Sequence, residues 1–155
     1  MSFLHRRVMK QYTEQEMRKI IVERYSKPQN FSEQKPNLYA EVKLKLDTCS
    51  DQLNLFIKTA NNLIIDVKFN GTGCAIATAS ADILCEMMKD ESFEKAGELL
   101  NEYTHLIEHD QEVDANLLND LIVFQNVYKQ RARKKCATLF SNGLLTIIKG
   151  ENNEK

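Results

Sequence analysis

The sequence predicts an α+β fold: a three-stranded antiparallel sheet with helices packed on one side. Two observations carry this. Between Val42 and Phe69 apolar residues alternate with polar ones in three short runs, the period of half-buried strands. From Cys74 onward the apolar spacing lengthens to that of helices and stays so. Strands gathered ahead of helices favour an antiparallel sheet with helices over one face, rather than alternating parallel units. The 155 residues suffice for a single domain with a sizeable core. Residues 1–12 read as a loose N-terminal tail and 150–155 as a C-terminal one.

The elements follow in order. Thr13 to Tyr25 carries Met17, Ile20, Ile21 and Tyr25 at helical spacing, with Thr13 as N-cap and Glu16 completing a capping box. Pro28, Asn30, Ser32, Pro36 and Asn37 mark an irregular connection. Three strand faces come next: Val42, Leu44 and Leu46; Leu53, Leu55 and Ile57; Leu63, Ile65, Val67 and Phe69. The stretches 47–51 and 60–62 are short enough to close hairpins. Cys74 to Met88 is expected to be a helix, entered through Gly71 and Gly73, whose freedom allows a sharp turn. Ser92 caps a second helix with Phe93, Ala96, Leu99, Leu100, Tyr103, Leu106 and Ile107 inward. Asp114 caps a third with Leu117, Leu118, Leu121, Ile122 and Phe124 inward. A last helix is expected from near Arg133 to about Ile148, ended by Gly150.

Composition removes some function classes. With 21 basic and 22 acidic residues the formal net charge is -1, which gives no electrostatic case for nucleic acid. No apolar run is long enough to span a bilayer, and the N-terminus has no apolar signal core. A cytoplasmic protein without membrane association is the expectation. In a reducing compartment its four cysteines are thiols or metal ligands rather than disulfides.

Three cysteines and one aspartate sit where elements end. Cys49 and Asp51 occupy the first hairpin connection, Cys74 the strand-to-helix junction, and Cys136 the start of the last helix. At a helix N-terminus unpaired amides favour an anionic sulfur, the form that binds soft metals and carries sulfur. Spacing alone does not bring these residues together, since 62 positions separate Cys74 from Cys136 and no CxxC pair occurs. Small buried hydrophobes remain slightly ahead on that basis. Cys85 lies 11 positions after Cys74 on the same helix, about 16 Å along its axis, and is expected in the core. His105 and His109, four apart with Glu108 and Asp110 nearby, could chelate a metal. Nothing else in the sequence converges on them, which favours an exposed helix end.

Several separated motifs resemble the NifU/IscU/SufU family of iron–sulfur cluster assembly proteins, over most of residues 13–148. Gly73-Cys74-Ala75-Ile76-Ala77-Thr78-Ala79-Ser80 resembles the second-cysteine motif. Lys135-Cys136-Ala137-Thr138-Leu139 resembles the third in its SufU form, and Cys49-Ser50-Asp51 the first, usually Cys-Gly-Asp. Val22 to Asn30 is similar to the N-terminal helix running into Asn-Pro-x-Asn, with Ser26-Lys27-Pro28 in place of Asn-Pro. A helical stretch from Glu91 to Asp110 resembles the SufU insertion, and no Leu-Pro-Pro-Val-Lys segment of IscU type is present. Phe140 and Ser141 replace a Pro-Trp often found in SufU.

The resemblance implies an IscU/SufU-like fold in which Cys49, Asp51, Cys74 and Cys136 bind one Zn²⁺, chemistry that suits a tetrahedral site rich in thiolates. It implies that Cys49 leaves the metal to accept sulfane sulfur from a pyridoxal-phosphate cysteine desulfurase of SufS type, for downstream acceptor proteins. Arg133, three before Cys136, would support this. Together with Arg131, Lys134 and Lys135 it would offset the charge of the ligands. The alternative implied role is a scaffold for a transient [2Fe–2S] cluster on the same residues, made labile by the harder Asp51 ligand.

Overall fold

Helix α1 (Glu14–Ser26) begins where its capping box places it. The Glu16 amide donates to Thr13 Oγ1 at 3.0 Å and the Thr13 amide to Glu16 Oε1 at 2.8 Å. The computed structural model describes residues 12–46, 50–109 and 112–153. Tyr12, expected in the tail, is held by its hydroxyl, which donates to Asp120 Oδ1 at 3.0 Å. The rest of that tail lies outside the described residues.

Strands β1 (Ala40–Lys45), β2 (Gln52–Ala60) and β3 (Leu63–Thr72) form one antiparallel sheet in that order. Val42 pairs with Leu55 and Leu55 with Phe69, so the predicted alternation becomes one apolar face. The β2–β3 hairpin turns on Asn61 and Asn62, both at positive φ (54° and 62°), as a two-residue turn matching strand twist demands. Beyond it the expected face breaks. Lys58 pairs with Asp66 but Thr59 with Ile64, leaving Ile65 as the extra residue of a bulge. The register slip sends Ile64 into the core and turns Leu63 out, 43% exposed. Of the first hairpin connection, 47–51, residues 47–49 lie outside the described residues.

The helices cover the apolar face. Helix α2 (Ala75–Met88) packs on α1 and β3 through Ala77, Ala79, Ala81, Ile83 and Leu84, the small residues allowing close approach. Helix α3 (Phe93–Glu108) is capped by Ser92, whose Oγ accepts the Lys95 amide at 3.1 Å. Asp114 caps α4 (Ala115–Leu118) as expected, but that helix lasts one turn. Asn119 at φ 48°, ψ -126° diverts the chain into 3₁₀ turns, Asn119–Phe124 and Val127–Lys129. Leu118, Leu121, Ile122 and Phe124 still reach the core, so burial was predictable where helix length was not.

Helix α5 (Arg131–Asn153) starts two residues before Arg133 and runs through Gly150, which does not end it. A glycine inside a helix costs about 1 kcal/mol, and no proline follows to stop the turn. Residues 150–153 of the expected C-terminal tail are thus helical, and residues 154–155 lie outside the described residues. Gly143 presses α5 onto the sheet: a Cβ there would lie 2.8 Å from Leu44 Cδ2. Beneath α5, Phe69 meets Phe140 edge-on at 6.0 Å and Phe31 at 5.6 Å, tying helix, sheet and the irregular segment together.

Candidate metal centre

Three elements end at one place, and one glycine makes this possible. Gly71 adopts φ 114°, and a Cβ there would stand 2.3 Å from the Gln52 carbonyl oxygen. Only glycine fits such a close backbone crossing. Gly73, expected to share this role, has no positive φ. The turn delivers Cys74 as the N-cap of α2, its sulfur accepting the Ala77 amide at 3.4 Å. One orphan amide of the helix start is thus aimed at sulfur.

Asp51, 5% exposed, lies just ahead of β2. Its Oδ1 accepts the Cys74 amide at 2.9 Å. Its Oδ2 is buried with no hydrogen-bond partner among the described residues. Cys136 approaches from the second turn of α5, 8% exposed. One ligand atom each from Asp51, Cys74 and Cys136 lies within 4.8 Å of the other two. Burial pushes the Cys136 thiol well up, and the adjacent Cys74 sulfur and Asp51 carboxylate push it further. Such crowding of anionic donors is reversed by a cation, which deprotonates its thiols outright.

The residues fit a divalent soft or borderline metal. A buried carboxylate oxygen without a partner costs on the order of 1–3 kcal/mol or more, and a cation supplies that partner. Two sulfurs and one carboxylate are donors that zinc accepts at about 2.0–2.3 Å. A fourth is needed, and Cys49, two residues before Asp51, lies outside the described residues.

The expected supporting cations line the start of α5. Arg131, Arg133 and Lys135 are exposed on the first turns of α5. Lys134 Nζ donates to the Glu108 carbonyl at 3.4 Å. Among the described residues none of the four pairs with Asp51. Cys85 is 1% exposed, with its thiol pushed well up by burial, a core residue as expected.

Sequence reasoning missed a second buried carboxylate. Asp82, fully buried on α2, accepts Arg24 Nη1 at 2.8 Å and both the amide (2.8 Å) and Nδ2 (3.1 Å) of Asn30. Arg24 also forks onto Glu86, at 3.1 and 3.2 Å. The visible signal was an aspartate inside an apolar helix, with Arg24 and Asn30 in the one N-terminal motif.

Comparison with known proteins decides the family. Residues 16–137 match the NifU-like N-terminal domain. The chain belongs to that family. It is 30% identical over 122 residues to the zinc-dependent sulfurtransferase SufU of Bacillus subtilis (strain 168), covering 79% of this chain and 82% of that one. Against the iron–sulfur cluster assembly scaffold protein IscU of Streptococcus pyogenes it is 30% identical, over 72% of this chain and 70% of that one. A crystallised candidate scaffold for the SUF system from Fervidobacterium islandicum AW-1 superposes with TM-score 0.74 at 29% identity, over 86% and 93% of the chains. The family fold, a three-stranded antiparallel sheet with helices on one side, is thus the one the sequence predicted. In this NifU-like chain no helix among the described residues is long and apolar enough to cross a membrane.

Proposed function

We propose that this NifU-like protein is a zinc-dependent sulfur acceptor of SufU type, working in the cytoplasm beside a pyridoxal-phosphate cysteine desulfurase. The observation that carries the reading is the convergence of Asp51, Cys74 and Cys136 around a carboxylate oxygen that has no hydrogen-bond partner among the described residues. The identity to a zinc-dependent sulfurtransferase supports it.

In this reading Asp51, Cys74, Cys136 and Cys49 hold the metal. Bound there, zinc would keep the thiols deprotonated and tie Cys49 to the helix ends that carry Cys74 and Cys136. The chain's own residues do the rest. The Cys74 amide orients Asp51, and the Ala77 amide steadies the Cys74 sulfur. The Cys49 thiolate attacks the outer sulfur of the donor's persulfide. A new S–S bond forms on Cys49, the donor's S–S bond breaks, and the donor leaves as a thiolate. No electrons are gained or lost overall. Exposed Arg133, beside Cys136, supports docking and steadies the anionic sulfurs in transit.

The test is desulfurase turnover with zinc-loaded protein. Wild type stimulates turnover and becomes persulfidated, and Cys49→Ala does neither while retaining its fold. Stimulation that survives this substitution overturns the reading. The scaffold reading, favoured by the IscU relatives and by the hard Asp51 ligand, takes a [2Fe–2S] cluster as cargo. Anaerobic reconstitution giving a visible-absorbing cluster that passes to an acceptor protein would establish it instead.

A further inference from the structure

The C-terminal end of α3 carries two histidines and a glutamate close together, separate from the cysteine centre. Glu102, His105 and His109 are spaced three and four apart and share one side of the helix end. The two imidazole rings stand 5.9 Å apart between centroids, tilted by 58°. A metal bound at 2.0–2.1 Å to a ring nitrogen lies roughly 3 Å from the ring centre, so two imidazoles on one ion stand roughly 5–6 Å apart. The observed separation falls in that range before any rearrangement.

Glu102 sets up the rest. Its Oε2 accepts the Asp114 amide at 2.7 Å, which fixes the carboxylate from the start of the next helix. Its Oε1 then lies 3.7 Å from His105 Nδ1. That distance is too long for a hydrogen bond, so Glu102 acts on the ring through its charge, which lies at the Nδ1 edge. His105 is 49% exposed, so an ion and its waters have access. His105 lies in the last turn of α3 and His109 is its C-cap, where helix carbonyls favour a cation. Lys134 works against this by bringing its ammonium to the Glu108 carbonyl. The site is therefore weaker than one built on thiolates.

We infer that His105 and His109 chelate a second divalent ion of the zinc, nickel and copper class, with Glu102 as positioning residue for His105. Imidazole selects this class over magnesium or calcium.

Zinc titration of protein already loaded at its cysteine centre, read against a chromophoric chelator, tests this. Wild type is expected to take up one further equivalent, and the double variant His105→Ala, His109→Ala none. Glu102→Gln, which keeps an acceptor for the Asp114 amide, should weaken that equivalent about tenfold. Cobalt as probe should give weak visible bands for the added equivalent, without the near-ultraviolet charge transfer of thiolate ligation. Both histidines are exposed, so folding of the double variant is verified by its unchanged first equivalent and unchanged desulfurase stimulation. The inference is overturned if wild type takes no further ion, if the double variant still takes it, or if thiolate charge transfer accompanies it.

Discussion

Two carboxylates are buried against α2, and they are treated in opposite ways. Asp82 is fully buried and saturated: a guanidinium, a backbone amide and a side-chain amide all donate to it. Asp51 is nearly as buried, yet one oxygen takes the Cys74 amide and the other takes nothing among the described residues. A satisfied buried charge holds elements together. A half-satisfied one, with two sulfurs facing it, is arranged so that it could hold a metal ion. Asp82 thus pins α1 and the Asn30 segment to α2, while Asp51 keeps one buried oxygen without a hydrogen-bond partner among the described residues.

The sharpest test of this contrast is Asp82→Ala. It leaves the Asn30 backbone amide without its acceptor and takes one of two carboxylates from Arg24, which keeps Glu86, and should cost about 1–3 kcal/mol in denaturant unfolding. Metal content per folded molecule should stay unchanged, and a loss of metal at full stability would erase the distinction. Asp51→Asn comes next. It retains an acceptor for the Cys74 amide but removes the anionic ligand, so metal retention under chelator challenge should fall by at least the ~10–100-fold that outer-shell partners carry. Unchanged retention removes Asp51 from the ligand set.

Cys85→Ala separates a packing thiol from the ligating ones. Metal content should be intact and stability lower by about 1 kcal/mol, the cost of a small cavity. The smallest effect is on pH. Burial holds Cys85 and Tyr103 in their neutral forms, both pushed well up, and Tyr39, bonded to Asp66, is pushed up to about 12. Raised folded values mean that their contribution is complete below the unfolded values, near 9 for the thiol and 10 for the phenols. It is lost as pH climbs past them. Unfolding midpoints should therefore decline gradually from about pH 9 upward in the metal-free protein.

Local chemistry was legible in the sequence alone. The capping box of α1, the Ser92 and Asp114 caps, the position of Cys74 at a helix start and the alternation of β1 and β2 each depend on residues within a few positions of one another. The candidate ligands were visible as residue types at element ends, and the motifs gave their grouping by resemblance. The last strand was misread at its beginning because a bulge after the Asn61–Asn62 turn shifts the face by one residue, and nothing in the apolar pattern announces that. The early end of α4 at Asn119 and the run of α5 through Gly150 were likewise not announced by the apolar pattern.

What the chain order fixed, then, was which residues cap, alternate and end elements, because those forces act over a turn or a strand pair. Tertiary structure decided which distant groups share a small volume. Asp51, Cys74 and Cys136 meet because Gly71 lets β3 cross against Gln52 and Gly143 lets α5 lie on Leu44. Asp82 finds Arg24 and Asn30 only once α1 has docked. The charge state and partners of a buried group depend on what the whole fold packs around it, and that is set by long-range contacts rather than by neighbours in sequence.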